Sequence, residues 1–526
     1  MALLAVIESI GAYFLITFAT SLFLLFTYRL QLHPLRDFPG PIIAKLTDAY
    51  NGYFSFRKRL HLTTLEDHAA YGPVIRHGPN KLLFNSATAL HDIYDNDRIV
   101  KSHINTALMQ TPGVYSLFTI IDKETHRAKR RIVGSSINER AMRTFEPTML
   151  EQVDLFVNIL FTSSQTSEPV NITEIVTRLA CDLVALLSLG FNLKLQTDPT
   201  NRFMVTGMFR VNHLANTRMQ WFRLHRLRVF SLLNYFSNDI QERYKRLLET
   251  MIKARLSEDK HVREDLFSIM TSAINRGEDV RMSDIWTEAI SFFPAGAFST
   301  SAATSALFFY LAHNKHCYDR VAREIRGAFA RGSEIKGGPQ LTSCNYLRAC
   351  IDEALRMAPP VPGTMWREIA EDEKTRPLII DGFVIPPGTQ IGVNIFALHH
   401  NENYFPDPYK FKPERWLPDE TPEKQRTLMR QAFAPFSVGY RSCAGKPMAY
   451  LEASLVVAKT LWYFDFRLAP GHLGGVGGGI PGRADGRGRR DEYQLYDVIA
   501  GQHDGPYLVF TSRAGVSNDL QGVVPK

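Results

Sequence analysis

Between Ser9 and Tyr28 the chain runs for twenty residues without a charge, rich in Leu, Phe, Ile and Ala. At about 1.5 Å rise per residue, a helix of that length crosses the roughly 30 Å hydrocarbon layer of a bilayer. No other feature limits the architecture as strongly, because whatever follows must hang from one membrane-spanning segment. Arg29, His33, Arg36 and Lys45 come after the run and Glu8 is the only charge before it, so the body is expected on the cytosolic side. A cleaved signal peptide is the competing reading. The length of the run, the missing basic n-region and the missing small-residue cleavage site before Arg29 argue against it.

The segment divides into an anchor over 1–28, with its core at 9–28, and a linker over 29–45. Within the linker, Pro34, Pro39 and Pro41 preclude a continuing helix and predict a stiff, extended spacer close to the lipid, or simply a connection. From about Lys45 no repeat or second linker appears before residue 470, and 46–515 is expected to form one domain. Apolar residues at three- and four-residue spacing predict helices over Asn171–Leu189, Asp284–His313, His316–Phe329, Asn345–Met357 and Ala444–Trp462. Short strands are expected over Pro73–His77, Lys81–Asn85, Leu378–Ile385 and Gln390–Asn394, with Asp381-Gly382 as a hairpin turn. The expected fold class is therefore mainly α with a small β-sheet region, preceded by one transmembrane helix. Nine glycines and four arginines over 470–490 predict a flexible surface insertion, and 516–526 is a C-terminal tail.

Composition narrows the function. An apolar share of 45% with 22% charged residues excludes a disordered or collagen-like chain. The net charge of +8 is spread along the chain, too dilute for nucleic acid, and suits a membrane surface or an acidic protein partner. Five cysteines without a CxxC pair point to a reducing compartment rather than a disulfide framework.

The chemistry concentrates at Phe436-Ser437-Val438-Gly439-Tyr440-Arg441-Ser442-Cys443-Ala444-Gly445. A turn at Gly439 leads to a cysteine just ahead of an amphipathic helix, with Pro447 tolerated in its first turn. The helix dipole and Arg441 both favour thiolate over thiol there. A buried structural cysteine is the alternative, and it would need neither.

Phe-x-x-Gly-x-Arg-x-Cys-x-Gly resembles the haem-ligand signature of the cytochrome P-450 superfamily, with every fixed position present. The resemblance implies the cytochrome P-450 fold and makes Cys443 the axial thiolate ligand of the metal, the iron of haem b. It also implies that Arg441 pairs with a haem propionate, that Phe436 packs near the sulfur, and that Gly439 and Gly445 permit close approach. Glu353-Ala354-Leu355-Arg356 matches the family's Glu-x-x-Arg, and Arg415 in Phe411-x-Pro413-Glu414-Arg415-Trp416 would complete a buried structural triad. Read from the residues alone, the Glu353–Arg356 pair at i, i+3 is equally a surface salt bridge. Arg367, after Pro362-Gly363, resembles a further propionate-binding arginine. His126-x-x-x-Arg130 resembles the family's propionate-contacting motif, with His126 where Trp is commoner and Arg131 as an alternative cation.

The long helix from Asp284 resembles the distal helix over the haem, where the family reads Ala/Gly-Gly-x-Asp/Glu-Thr-Thr/Ser. This chain reads Ala295-Gly296-Ala297-Phe298-Ser299-Thr300, after a Pro294 that predicts a local opening. Phe298 replaces the acid, and Ser299 stands where threonine is usual. Three readings stay open: Ser299 with ordered water delivers protons, a substrate hydroxyl supplies the link, or the reaction is not a plain hydroxylation. The first two together are preferred, giving Ser299 and Thr300 as catalytic candidates.

Phe292, Phe293, Phe298 and Ala302 are candidates for an apolar pocket wall, or for ordinary core. Arg218–Phe230 mixes aromatics with arginines and reads as a lipid-touching lid or a solvated basic helix. With no Walker loop, Rossmann fingerprint or flavin site, electrons must come from elsewhere. The resemblance implies NADPH-cytochrome P-450 reductase at the endoplasmic reticulum membrane; the basic cluster Lys123, Arg127, Lys129, Arg130 and Arg131 is a candidate docking face for it, with some of those charges serving propionates instead. The expected activity is insertion of one atom of O2 into an apolar small molecule, a fungal terpenoid, polyketide or alkaloid. The alternatives are a haem-thiolate isomerase or dehydratase needing no external electrons, and a non-catalytic haem-bearing lipid-binding protein.

Overall fold

The structure is a computed structural model that describes residues 2–109, 113–135, 137, 139–227, 239–258, 265–275 and 281–516. Helix Ala2–Thr27 continues as a π-helical turn over Tyr28–Leu32, and Ser9–Leu32 is one helix long and apolar enough to cross a membrane, with its apolar stretch unburied and Arg29 near its end buried against the body.

The linker does not stay extended. It turns at His33–Arg36 and lies against strand β1 (Val74–Gly78), where the Arg76 N–H donates to Pro39 O at 2.6 Å and the Arg76 guanidinium to Arg29 O at 2.8 Å. At Gly40, with φ 147°, a Cβ would lie 2.4 Å from Arg76 O, so only glycine allows this contact. The unpaired edge of β1 holds the segment against the body.

Strand β1 forms a hairpin with β2 (Lys81–Phe84), and β2 pairs in parallel with β8 (Gln390–Val393). Strand β5 (Arg367–Ile369) joins β8 and β3 (Ile99–Lys101), giving the order β1-β2-β8-β5-β3. A second sheet, β4-β10-β9, unites Val170–Asn171, Tyr507–Ser512 and Phe464–Leu468, and β6–β7 is the hairpin Leu378–Ile380 with Phe383–Ile385. Asp381 and Gly382, at φ 49° and 81°, are the two left-handed turn residues that such a hairpin needs.

Everything else is mostly helix. Ile172–Leu189, Ser299–His313, Asn345–Met357 and Lys446–Tyr463 pack their apolar faces into one core with the Glu139–Thr166 helix. The predicted helices thus form with boundaries displaced by a residue or two. Residues 470–490 depart from expectation, because they are anchored. The Gly479 and Ile480 N–H groups donate to Arg489 O and Arg487 O, and the Arg487 guanidinium is buried against Gln494, Leu495 O and Lys58 O. Glycine brings the backbone close, with a Cβ at Gly478 only 2.2 Å from Arg490 O. The tail at 517–526 and Arg228–Phe230 of the expected lid lie outside the described residues.

Candidate active site

The cysteine loop is shaped by its turn residues. Ser437 and Gly439 have φ of 59° and 72°, and a Cβ on Gly439 would sit 2.2 Å from Tyr94 O. The turn lets the Cys443 N–H donate to Phe436 O at 2.8 Å and aims the sulfur back at the start of the Lys446–Tyr463 helix. Cys443 alone among the five cysteines has open space against it. Burial pushes its thiol up, while the Gly445 N–H, the Arg130 charge and the Lys446 N–H all act to stabilise the thiolate. Phe436 packs on Tyr450 with ring centroids 5.2 Å apart. At Gly445 a Cβ would meet only the Cys443 Sγ, at 3.8 Å, so the protein side does not by itself demand glycine.

Around the sulfur stands a set of cations. Arg130 donates to Ser442 O at 2.7 Å. Arg441 spends its terminal nitrogens on Ile120 O and Ile121 O, at 2.7 and 2.6 Å, leaving its buried Nε without a partner. His126 stands edge-on to Tyr440 with a buried, unpartnered Nδ1. Burial, with Arg441, Lys101 and Arg130, pulls its pKa down to about 3. Arg367 is buried beside Tyr94, and burial, with Arg441 adding repulsion, lowers it to about 10. Lys101 is a fifth member that sequence reasoning missed. It sits directly opposite Arg367 in the β3–β5 register, and burial followed by Arg367 and Arg441 holds it well below its ordinary value. Like charges facing each other across a strand pair destabilise the sheet unless an anion lies between them.

These features test whether a haem fits. Lys101 and Arg367 are buried and repel one another, and the half-buried Arg130 and Arg441 stand beside them. Arg441 Nε and the neutral His126 Nδ1 are buried without partners, so the group forms a receptor for carboxylates next to the Cys443 sulfur. Two propionates suit the receptor and an iron suits the sulfur, so the residues present fit a haem.

The distal helix, Met282–His313, packs against both the Ile172–Leu189 helix and the Lys446–Tyr463 helix, and it is broken by a π-turn at Pro294–Phe298 as Pro294 predicted. Ala295 is exposed and Ser299 half-buried, whereas Ala297, Phe298 and Thr300 are buried, so one face of the turn looks onto open space. The Ser299 hydroxyl donates to Ala295 O at 2.5 Å and the Thr300 hydroxyl to Gly296 O at 2.7 Å. Gly296 faces Val184, whose Cγ2 would lie 2.6 Å from an added Cβ, so its smallness serves helix packing. Phe298 turns away and stacks on Phe209 with centroids 3.8 Å apart and 3° between planes. Phe293 and Ala302 are also core, and Phe292 is half-buried.

Beneath the loop, Glu353 is fully buried and receives hydrogen bonds from Arg356 (2.9 and 2.9 Å), Arg415 (3.0 Å), the Trp416 indole (3.0 Å) and the Lys412 N–H (3.1 Å). Arg356 also donates to His399 O, and the His399 Nε2 accepts from the Ala434 N–H at 3.0 Å. His399, lowered to about 3 by burial and by Arg356, is thus a neutral link from the ion-pair network to the cysteine loop that sequence reasoning did not single out.

The cation cluster proposed for docking divides. Arg127 and Arg131 are exposed and Lys123 half-buried, but Lys129 is buried and bonds Asp284 at 2.9 Å with Glu288 at 3.4 Å. It fastens its helix to the distal helix, so it is removed from the docking face. Lys129→Met is therefore expected to lose about 3 kcal/mol of stability, since both acids stay behind without their cation. A shift in thermal midpoint with unchanged affinity for an added reductase is the check.

The comparisons agree with this arrangement. A family model described as Cytochrome P450 matches residues 54–473. The chain is 33% identical over 494 residues to cytochrome P450 monooxygenase AKT7 of Alternaria alternata, covering 92% of this chain and 94% of that protein. It is 33% identical over 518 residues to the monooxygenase apf7 of Gibberella fujikuroi (92% and 95%), and 32% identical over 504 residues to poxM of Penicillium oxalicum (94% and 93%). With the thiol loop, its cations and the ion-pair scaffold in place, the chain belongs to the cytochrome P450 family and is a monooxygenase.

Proposed function

We propose that this monooxygenase inserts one atom of O2 into an apolar fungal secondary metabolite, a terpenoid, polyketide or alkaloid. NADPH supplies the electrons through a separate cytochrome P-450 reductase. The observation that carries the site reading is Cys443, the one exposed cysteine of the five, with two backbone N–H groups and Arg130 acting on its sulfur. A haem b bound there supplies the dioxygen chemistry, with Cys443 Sγ on its iron and Lys101, His126, Arg130, Arg367 and Arg441 toward its propionates.

The chain's own residues position, exclude and deliver. Gly439 and the Cys443–Phe436 backbone bond hold the sulfur in place. Phe436 shields one side of it, and the Gly445 and Lys446 N–H groups favour its anion. Residues 46–515 act as one catalytic domain around this loop. An N-terminal helix apolar enough to anchor the chain in the endoplasmic reticulum membrane, with the catalytic domain on the cytosolic side, favours a substrate that partitions into lipid. Arg127, Arg131 and Lys123 remain as the exposed basic surface for the reductase.

Ser299 is the hydroxyl on the open face, so Ser299→Ala is expected to lower product formed per NADPH roughly a hundredfold, the lower end of what a lost proton donor costs. Unchanged coupling in that variant would remove Ser299 from the mechanism. The substrate reading is tested by product analysis in a host expressing this chain with its reductase and candidate scaffolds. No oxygenated product from any apolar scaffold would overturn it.

A further inference from the structure

Among the described residues, one group of three metal-ligating side chains stands together, and the haem site uses none of them. His316 and Cys317 lie in the first turn of the Lys315–Ala328 helix, and Glu414 comes from the 3-10 turn Pro413–Trp416. One ligand atom from each, a ring nitrogen, the sulfur and a carboxylate oxygen, all lie within 4.8 Å of one another. Successive residues on a helix point about 100° apart. His316 and Cys317 therefore flank a wedge beside their helix, and Glu414 enters it from the other element.

Cys317 is 5% exposed, whereas His316 is exposed, so the wedge is closed at its base and open at its mouth. Its walls orient the donors. The Tyr346 hydroxyl donates to Glu414 Oε1 at 2.5 Å and stands within hydrogen-bonding reach of the Cys317 sulfur. Arg320 lies over the Tyr346 ring, 4.1 Å from its centroid, and bonds Glu420 at 2.5 Å. That pairing holds its guanidinium 3.7 Å from Glu414 Oε1. Both contacts fall on Oε1, which leaves Oε2 for another partner.

A thiol, an imidazole and a carboxylate in one wedge suit a borderline-soft cation rather than Ca2+ or Mg2+, which take oxygen shells. Tetrahedral zinc, with bonds of about 2.0–2.3 Å, spaces its donors about 3.3–3.8 Å apart. Rotation of the exposed His316 side chain brings the three donors into that range. We propose that His316, Cys317 and Glu414 bind one Zn2+, with a water in the fourth position at the open mouth. On binding, the Cys317 S–H bond breaks, its proton passes to solvent, and a zinc–sulfur bond replaces it. The ion ties the Lys315–Ala328 helix to the turn that carries Arg415, and Arg415 bonds Glu353 at 3.0 Å. Zinc thus braces the ion-pair scaffold from its flank. The site goes beyond the monooxygenase reading and needs neither the substrate nor the electron donor.

The test uses the full-length, untagged, haem-loaded chain in detergent, treated with a chelator and then dialysed against zinc chloride. One zinc per chain is expected, and X-ray absorption at the zinc edge should show one sulfur at about 2.3 Å. Cys443 is committed to the haem iron in this preparation, so it does not supply that sulfur. Cys317→Ser should lose the sulfur signal and at least about tenfold in zinc affinity. His316 is exposed, so His316→Ala reads the site without disturbing the core and should lose at least about tenfold as well. Tyr346→Phe, which touches the ligands rather than the ion, should cost about 10–100-fold. Saturating zinc should raise the thermal midpoint of the wild type and leave that of His316→Ala unmoved. Less than one zinc per chain, a shell without sulfur, or undiminished affinity in either Cys317→Ser or His316→Ala overturns the proposal.

Discussion

Cys443→Ser protein is expected to give no product above background and to lose the thiolate-type Soret band of its reduced carbon-monoxide complex. The sulfur's surroundings are built for an anion: two backbone N–H groups and the Arg130 charge point at it, against burial that alone would keep it protonated. A serine hydroxyl in the same place has far too high a pKa for those three contributions to ionise it, so the loop would present a neutral oxygen. No other cysteine can stand in. Cys181 and Cys350 are fully buried and held well above their ordinary values. Cys344 is raised to about 11, and Cys317 is raised as well, each chiefly by burial. Absorption spectra of the purified variant with and without added haem are the measurement. A thiolate-type band persisting in the serine variant would remove Cys443 from the site.

How much of this was legible in the sequence depends on how local each constraint is. The loop from Phe436 to Gly445 is contiguous, so its turn, cation and thiol could be read from spacing alone. Lys101 could not be, because its meaning comes from lying opposite Arg367, and that register is set by three strands drawn from distant parts of the chain. His399 was hidden for the same reason, since it matters only as the bridge between Arg356 and Ala434. The linker and the Gly/Arg-rich insertion were misread in a related way. Composition reports the entropy a segment must lose. It does not report the acceptors that Arg76 and Arg487 find once the fold is formed. Lys129 shows the opposite error, because a charge in a basic run was assigned to the surface although its acids, Asp284 and Glu288, lie far along the chain.

The network at Glu353 should give the largest loss of stability. Glu353→Ala removes one carboxylate and leaves Arg356 and Arg415 buried with their charges uncompensated, a loss of about 3–5 kcal/mol or more. Burial by itself would raise the Glu353 pKa, but Arg356 and Arg415 outweigh it and the net shift is downward. The folded carboxyl pKa thus lies below the unfolded one. Its contribution is present in full above the ordinary carboxyl range and is lost only as pH falls through the lowered value. The damage should extend to the cysteine, because Arg356 holds His399 O and His399 holds the Ala434 N–H at the base of the loop. Little haem-bearing protein is therefore expected, and what forms should unfold at a markedly lower temperature. The pair Glu353→Ala and Glu353→Gln separates charge from shape: glutamine retains a carbonyl for one arginine and the volume of the side chain, so it should recover part of the packing but not the charge balance. The intermediate thermal midpoint expected for glutamine would identify the network as an electrostatic clamp. A Glu353→Ala protein with the wild-type midpoint and full haem content would mean that the two arginines are held by their carbonyl partners alone.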